Sequence, residues 1–226
     1  MMVNGLSGPT KKSISGKVNE LVIFFHGYGA DGNDLISLSD HFSSLLPNAE
    51  FHAPNAPDRC DMGGLGYQWF PIKQNDDGTI ALNATNEIIS AVTTINDWID
   101  ALISEKNVKP SNVLLIGFSQ GTMMILETLI ARREKLLGLI GFSGGFLGVS
   151  DEGELSDCKD TPILLIHGDA DPVVPVSMTT TAVESLGRKG FHIEKYICNG
   201  LAHGISLDGL SHAAEFLRKT MLKDSC

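Results

Sequence analysis

The pentapeptide Gly117-Phe118-Ser119-Gln120-Gly121 follows the apolar run Val113 to Ile116 and opens a segment that carries Met124, Leu126 and Leu129. A strand, a glycine-flanked serine and a helix in that order demand a sharp turn that lifts the hydroxyl clear of a sheet. The helix N-terminus then aims its N–H groups at any oxyanion formed beside the serine. The chemistry expected is attack of Ser119 on an acyl carbon. The same pattern recurs as Gly141-Phe142-Ser143-Gly144-Gly145, but the ten residues after Ser143 hold four glycines and no helical stripe. Ser119 is therefore the expected nucleophile, and Ser143 the end of a strand beside the site.

A serine hydroxyl needs a base, and the base needs an orienting acid. His203, in Asn199-Gly200-Leu201-Ala202-His203-Gly204, falls between the last apolar run and the last helical segment, on a glycine-flanked loop. His41 and His212 fall in helical segments, His52 and His192 in or beside strands, and His167 at a strand end, where packing or solvent exposure accounts for them. In His167-Gly168-Asp169-Ala170-Asp171-Pro172-Val173-Val174-Pro175 two aspartates compete for the acid's place. Asp169 sits where a short carboxylate bonds turn amides, and Asp171 is favoured because Pro172 fixes its loop. The chain order Ser119, Asp171, His203 is the order of α/β-hydrolases. His26-Gly27-Tyr28-Gly29 follows another apolar run, where such a fold supplies a second oxyanion donor; the donors would be the backbone N–H groups of Tyr28 and Gln120, though an ordinary turn would look the same. Asp31-Gly32-Asn33-Asp34 lacks the later ligands of a calcium loop and reads as a turn with Asp34 as helix N-cap.

The elements that must position these residues are strands at Glu20 to Phe25, Ala49 to Ala53, Asn112 to Gly117, Gly138 to Phe142, Ile163 to His167 and His192 to Cys198. Several are continuous apolar runs, as strands covered on both faces require. Helices are expected at Asp34 to Leu46, Thr85 to Ser104, Gln120 to Arg133, Val176 to Arg188 and Leu207 to Leu222. Ile88, Val92, Ile95 and Ile99 form one apolar stripe in the second of these. Alternation of strand and helix predicts an α/β fold, a mostly parallel twisted central sheet with helices on both faces, in one domain over 1–226. The stretch from Pro54 to Ala84, with three prolines and four glycines, breaks the rhythm and is expected to be functional or to hold a small structure of its own.

With 17 Lys and Arg against 27 Asp and Glu, the chain carries a formal charge of −10 and scattered bases, which argues against a nucleic-acid partner. No apolar run approaches the ~18 residues of a transmembrane segment, and no apolar stretch follows Lys11 and Lys12 before Leu21, so a cytoplasmic address is expected. Cys60, Cys158, Cys198 and Cys226 show no zinc-ligand spacing and are expected to be reduced.

Taken together, Phe25-His26-Gly27-Tyr28-Gly29-Ala30-Asp31-Gly32-Asn33-Asp34-Leu35, Ala53-Pro54-Asn55-Ala56-Pro57, Tyr67-Gln68-Trp69-Phe70, the Ser119 and Asp171 motifs and the His203 loop resemble the phospholipase/carboxylesterase family. These are small α/β-hydrolases without a large cap domain, and they include acyl-protein thioesterases. The resemblance implies that Asp171, the second aspartate of its motif, is the triad acid. It also implies ester or thioester hydrolysis through an acyl-enzyme on Ser119, with no metal or organic cofactor. The acyl chain would lie in an apolar groove, for which Trp69, Phe146 and Val173 are the candidate lining residues, although Trp69 and Phe146 could equally fill core. Thr122 stands where many relatives have a second glycine, Tyr28 where thioesterases of higher cells often have leucine, and Gly145-Phe146 where those have Cys-Trp, which points to a bacterial carboxylesterase. The expected partner is a small-molecule or lipid-like ester; an apolar groove could also support a homodimer. A ligand-binding module without turnover and a small peptidase remain as other readings of the same residues.

Overall fold

The computed structural model describes residues 5–61, 66–74, 80–81, 84–150, 155 and 157–223. Seven strands form one sheet: β1 (Thr10–Lys11), β2 (Glu20–Phe25), β3 (Ala49–His52), β4 (Val113–Phe118), β5 (Gly138–Phe142), β6 (Ile163–Gly168) and β7 (Ile193–Cys198), in the order β1-β3-β2-β4-β5-β6-β7. Only the pair of β1 and β3 is antiparallel. Each remaining neighbour pair is parallel, so every strand from β2 onward ends at the same edge.

Alternation along the strands sorts the core into two layers. Leu21, Ile23, Phe25, Leu115, Leu139 and Leu165 face one side and pack with the long helix α3 (Thr85–Lys106), with α4 (Gln120–Arg132), and with Ala182 and Leu186 of α5 (Val176–Arg188). Val22, Phe24, Leu114, Ile116, Ile140 and Ile166 face the other, against Phe42 and against Leu210, Phe216 and Leu217 of α6 (Leu207–Lys223). Residues Gln120 to Ile130 of α4 are all buried, which suits a helix wedged between sheet and α3.

The helix expected at Asp34 to Leu46 is broken into α1 (Gly32–Ile36) and α2 (Ser39–Phe42). The Ser39 hydroxyl donates to Ile36 O at 2.6 Å, taking a carbonyl that a continuous helix would have offered to the backbone. The N-cap is Asp31, not Asp34. Asp31 Oδ1 accepts the Asn33 N–H at 2.7 Å while Asp34 reaches back to the Asp31 N–H at 3.1 Å, a reciprocal box in which Asp34 is the third helical residue. Strands β2 to β7 and helices α3 to α6 lie within two residues of the expected ends, whereas β1, two exposed residues at the sheet edge, was not expected.

The described part of the Pro54 to Ala84 stretch holds two short antiparallel ladders, Asp58–Arg59 with Tyr67–Gln68 and Lys73–Gln74 with Ile80–Ala81. Tyr67 bridges Ala30, so this stretch lies against the turn after β2. Cys60, Cys158 and Cys198 are free thiols, and Cys226 lies outside the described residues. Among the described residues no helix is long and apolar enough to cross a membrane.

Candidate active site

Ser119 sits at the junction of β4 and α4 with φ 54 and ψ −117, a conformation costly for a residue with a Cβ. Close packing holds it there. A Cβ on Gly121 would fall 2.0 Å from Phe25 O, and one on Gly117 would fall 2.6 Å from the Gly121 carbonyl carbon, so both flanking glycines are required for helix and sheet to approach. The Ser119 N–H donates to Phe142 O at 2.9 Å. Thr122 Oγ1 lies 2.9 Å from Gly117 O and 2.8 Å from Phe142 O, tying the first turn of α4 to both strands.

Asp171 and His203 arrive on the loops after β6 and β7. His203 Nδ1 lies 2.7 Å from Asp171 Oδ2, and Nε2 lies 3.1 Å from Ser119 Oγ. A carboxylate only accepts, so Nδ1 carries the proton and Nε2 is left to accept from the serine hydroxyl. Asp171 Oδ1 accepts the N–H groups of Val173 and Val174 at 2.8 and 2.9 Å. Burial pushes the Asp171 carboxyl up, but the His203 bond and these two N–H groups outweigh it and hold the acid below its ordinary range. Asp169, the competing aspartate, is turned away to accept the Gly200 N–H at 2.6 Å, which clips the Asp171 loop to the His203 loop. The Phe118 ring lies 4.9 Å from the His203 ring.

The turn after β2 lies alongside. A Cβ on Gly27 would be 3.3 Å from Ser119 Cβ, so Ser119 and the His26-Gly27-Tyr28 backbone are neighbours. His26 is wholly buried, and its Nε2 accepts the Ala56 N–H at 3.0 Å, which leaves Nδ1 to donate to Gly27 O at 2.8 Å. Burial pushes this imidazole down, against the Gly27 bond, and so favours the neutral ring this arrangement needs. No peptide bond among the described residues is cis. With Gly27 C=O held toward His26, the Tyr28 N–H of the same planar trans peptide points the opposite way. Gln120 is the first residue of α4, so its N–H has no acceptor within the helix. Its side chain is structural: Oε1 accepts the Trp69 N–H at 2.9 Å and Nε2 donates to Phe70 O at 2.8 Å.

The three candidate groove residues separate. Trp69 is fully buried, its indole N–H donating to His26 O at 3.0 Å, so it supports the His26 turn from beneath and presents no surface to a ligand. Phe146 is half-buried against the α3 and α4 layer, and Val173 is 52% exposed next to Asp171. Ser143 ends β5 with φ 50 and donates to Gly204 O at 3.3 Å, beside the His203 loop. Two residues were not singled out in the sequence. His167 is wholly buried, with Nε2 2.8 Å from Val174 O and 3.2 Å from Asp171 Oδ2. The available signal was its placement four residues before Asp171 across a turn. Glu127 is the other, an acid amid the apolar run of α4, where a charge must find partners.

The phospholipase/carboxylesterase family profile matches residues 11–221. Acyl-protein thioesterase 1 of Kluyveromyces lactis is 31% identical over 214 residues, 89% of this chain and 92% of that protein. Esterase YpfH of Escherichia coli is 26% identical over 90% of this chain and 84% of its own length. Among solved structures, the crystal structure of esterase PE8 superposes with a TM-score of 0.85 at 35% identity, covering 95% of this chain and 99% of that one. A parallel sheet clothed by helices on both faces, a serine elbow at its carboxyl edge and this match over nearly the whole length lead to one conclusion: the chain has the α/β-hydrolase fold and belongs to the phospholipase/carboxylesterase family.

Proposed function

We propose that this carboxylesterase-family hydrolase works through an acyl-enzyme on Ser119, with His203 as base, Asp171 as its orienting acid, and the backbone N–H groups of Tyr28 and Gln120 as the oxyanion donors. His203 Nε2 takes the serine proton as Oγ bonds to the acyl carbon. The proton is then given to the departing alcohol or thiol, and water, deprotonated by the same nitrogen, releases the acid and restores Ser119. Asp171, ionised and held by two backbone N–H groups, stabilises the imidazolium that forms in each step. The observation that carries this reading is the unbroken line of hydrogen bonds from Asp171 through His203 to Ser119, at 2.7 and 3.1 Å.

The substrates proposed are carboxylic esters of short to medium acyl chain, with lysophospholipids and thioesters in the same chemical class. Phe146 and the exposed Val173 are the apolar surface offered to the acyl group, a role from which burial removes Trp69. Hydrolysis of p-nitrophenyl esters from acetyl to palmitoyl, run beside Ser119→Ala, tests the assignment. The substitution is expected to lower kcat by roughly 10⁴- to 10⁶-fold with the melting temperature preserved. Retention of most of the activity would remove Ser119 from the mechanism. Absence of serine-dependent turnover, together with failure of a serine-reactive phosphonate to label Ser119, would instead favour a binding module that keeps the pocket.

A further inference from the structure

Glu127 lies about two turns into α4 from Ser119 and is wholly buried. Its carboxylate accepts four consecutive backbone N–H groups: Oε1 takes Leu147 and Gly148 at 3.1 and 2.6 Å, and Oε2 takes Val149 and Ser150 at 3.2 and 2.8 Å. The Ser150 hydroxyl donates to Glu127 O at 3.2 Å. A buried carboxylate is tolerated only when its lone pairs are filled, and bonds to a charged acceptor are roughly twice as strong as neutral ones. The chain from Leu147 to Ser150 is thus wrapped around one fixed anion.

The other end of this loop is pinned beside the nucleophile. Gly144 O accepts the Thr179 hydroxyl at 2.8 Å, and a Cβ on Gly144 would meet Ser119 O at 2.8 Å. Phe146 stands between the two anchors. A Cβ placed on Gly148, whose N–H makes the shortest of the Glu127 bonds, would touch Phe146 Cε1 at 3.6 Å, so the ring rests over the residue that Glu127 grips most closely.

We infer that Glu127 is a positioning residue for acyl selectivity: by holding 147–150 it fixes where the Phe146 ring meets the acyl group carried by Ser119. This rests on the reading of Ser119 as nucleophile. An acetyl group is too short to use such a wall, whereas the methylenes of a longer chain gain binding from it. The signature is therefore a change in the ratio of kcat/KM for long over short esters, which a purely structural role would leave alone.

In Glu127→Gln the amide keeps one acceptor and turns two donors toward N–H groups, which releases part of the loop. The ratio of kcat/KM for p-nitrophenyl octanoate over acetate is expected to fall about tenfold, chiefly through KM for the octanoate. Phe146→Ala should lower the ratio similarly, and the double variant no further, because both changes remove one contact. A ratio within about twofold of the unsubstituted protein's, or additive losses in the double variant, would overturn the inference. If Glu127→Gln does not fold, Gly148→Ala loosens the same loop by straining φ +70 without stranding a buried charge. It carries the same expected fall, and an unchanged ratio there overturns the inference equally. Acetate hydrolysis that survives Ser119→Ala would fault the nucleophile instead, so the two failures are distinguishable.

Discussion

Asp171 Oδ2 is hydrogen-bonded by His203 Nδ1 at 2.7 Å and lies 3.2 Å from His167 Nε2, whose own hydrogen bond goes to Val174 O at 2.8 Å. His167 Nε2 faces only acceptors, Val174 O and Asp171, so it must carry a proton, while Nδ1 meets Thr179 Oγ1 at 2.6 Å. His167 thus ties down the loop that carries Asp171 and lies against its carboxylate, so any effect on the proposed chemistry would pass through that acid. His167→Phe, which keeps bulk but removes the donor, should lower kcat for the acetyl ester about tenfold with KM nearly unchanged. His167→Gln, which retains a donor, should recover part of the loss. Steady-state kinetics beside a thermal melt check this, and a kcat for His167→Phe equal to that of the unsubstituted protein would show that His203 and the two backbone N–H groups suffice. The residues that meet at Asp171, His203 and Ser119 were legible because their motifs tie residue type to a turn: a serine between glycines at a strand-to-helix junction, and a histidine on a glycine-flanked loop. His167 was not, because a histidine ending an apolar strand looks like packing until the Asp171 loop folds back over it. Glu127 reads as a helix acid for the same reason, since its partners are backbone groups twenty residues and more away.

Between strand and helix, the elbow is shaped by side chains that are missing. Thr122 fills space left by Gly141 and Gly144: a Cβ on Gly141 would lie 2.5 Å from Thr122 Cγ2, and one on Gly144 2.5 Å from Thr122 Cβ. These glycines complement the threonine and make room for its side chain at the elbow. Gly141→Ala should destabilise the fold by about 1–3 kcal/mol through overpacking. Thr122→Ser, which deletes the colliding methyl and keeps the hydroxyl bonds to Gly117 O and Phe142 O, should recover part of that loss in a double-mutant cycle. Denaturant unfolding measures it, and strict additivity would mean that Leu165, the next nearest contact at 2.9 Å, carries the clash alone. Gly121→Ala should find no such rescue, because its Cβ would meet backbone at Phe25 O. The apolar runs and the helical stripe made most elements visible in the chain. The order β1-β3-β2-β4-β5-β6-β7 was not visible, since the apolar runs of the inner strands could pair in many orders by pattern alone and β1, two exposed polar residues, carries no strand signal. Nor was the break between α1 and α2, which depends on one hydroxyl taking one carbonyl.

Across the whole molecule, the parallel sheet divides the loops into two ends, and charge divides with them. At the catalytic end, the segments after the strands expose Asp34, Asp58, Asp61, Asp169 and Asp208, while the Lys and Arg among the described residues of those segments are Arg59, its guanidinium 4.2 Å over the Tyr67 ring, and Lys73. At the opposite end, the segments leading into the strands carry Lys109, Arg133, Lys135, Lys159 and Lys189 interspersed with acids. On a chain of formal charge −10 this sets a negative field over the mouth of the site. A neutral ester approaches without hindrance, and an ester bearing a carboxylate is repelled before it reaches Ser119. The repulsion is long-ranged, so salt should relieve it. Raising ionic strength from about 10 mM to about 150 mM, which shortens the screening length from roughly 30 to 8 Å, should raise kcat/KM for an anionic hemisuccinate ester severalfold and leave that of its neutral methyl-capped counterpart unchanged. The effect should appear in kcat/KM, since the field acts on encounter, with kcat at saturation nearly constant. Equal salt responses for the two esters would mean that the acids at the mouth are too well hydrated to steer, and that selectivity is decided only by the surfaces touching the bound acyl group.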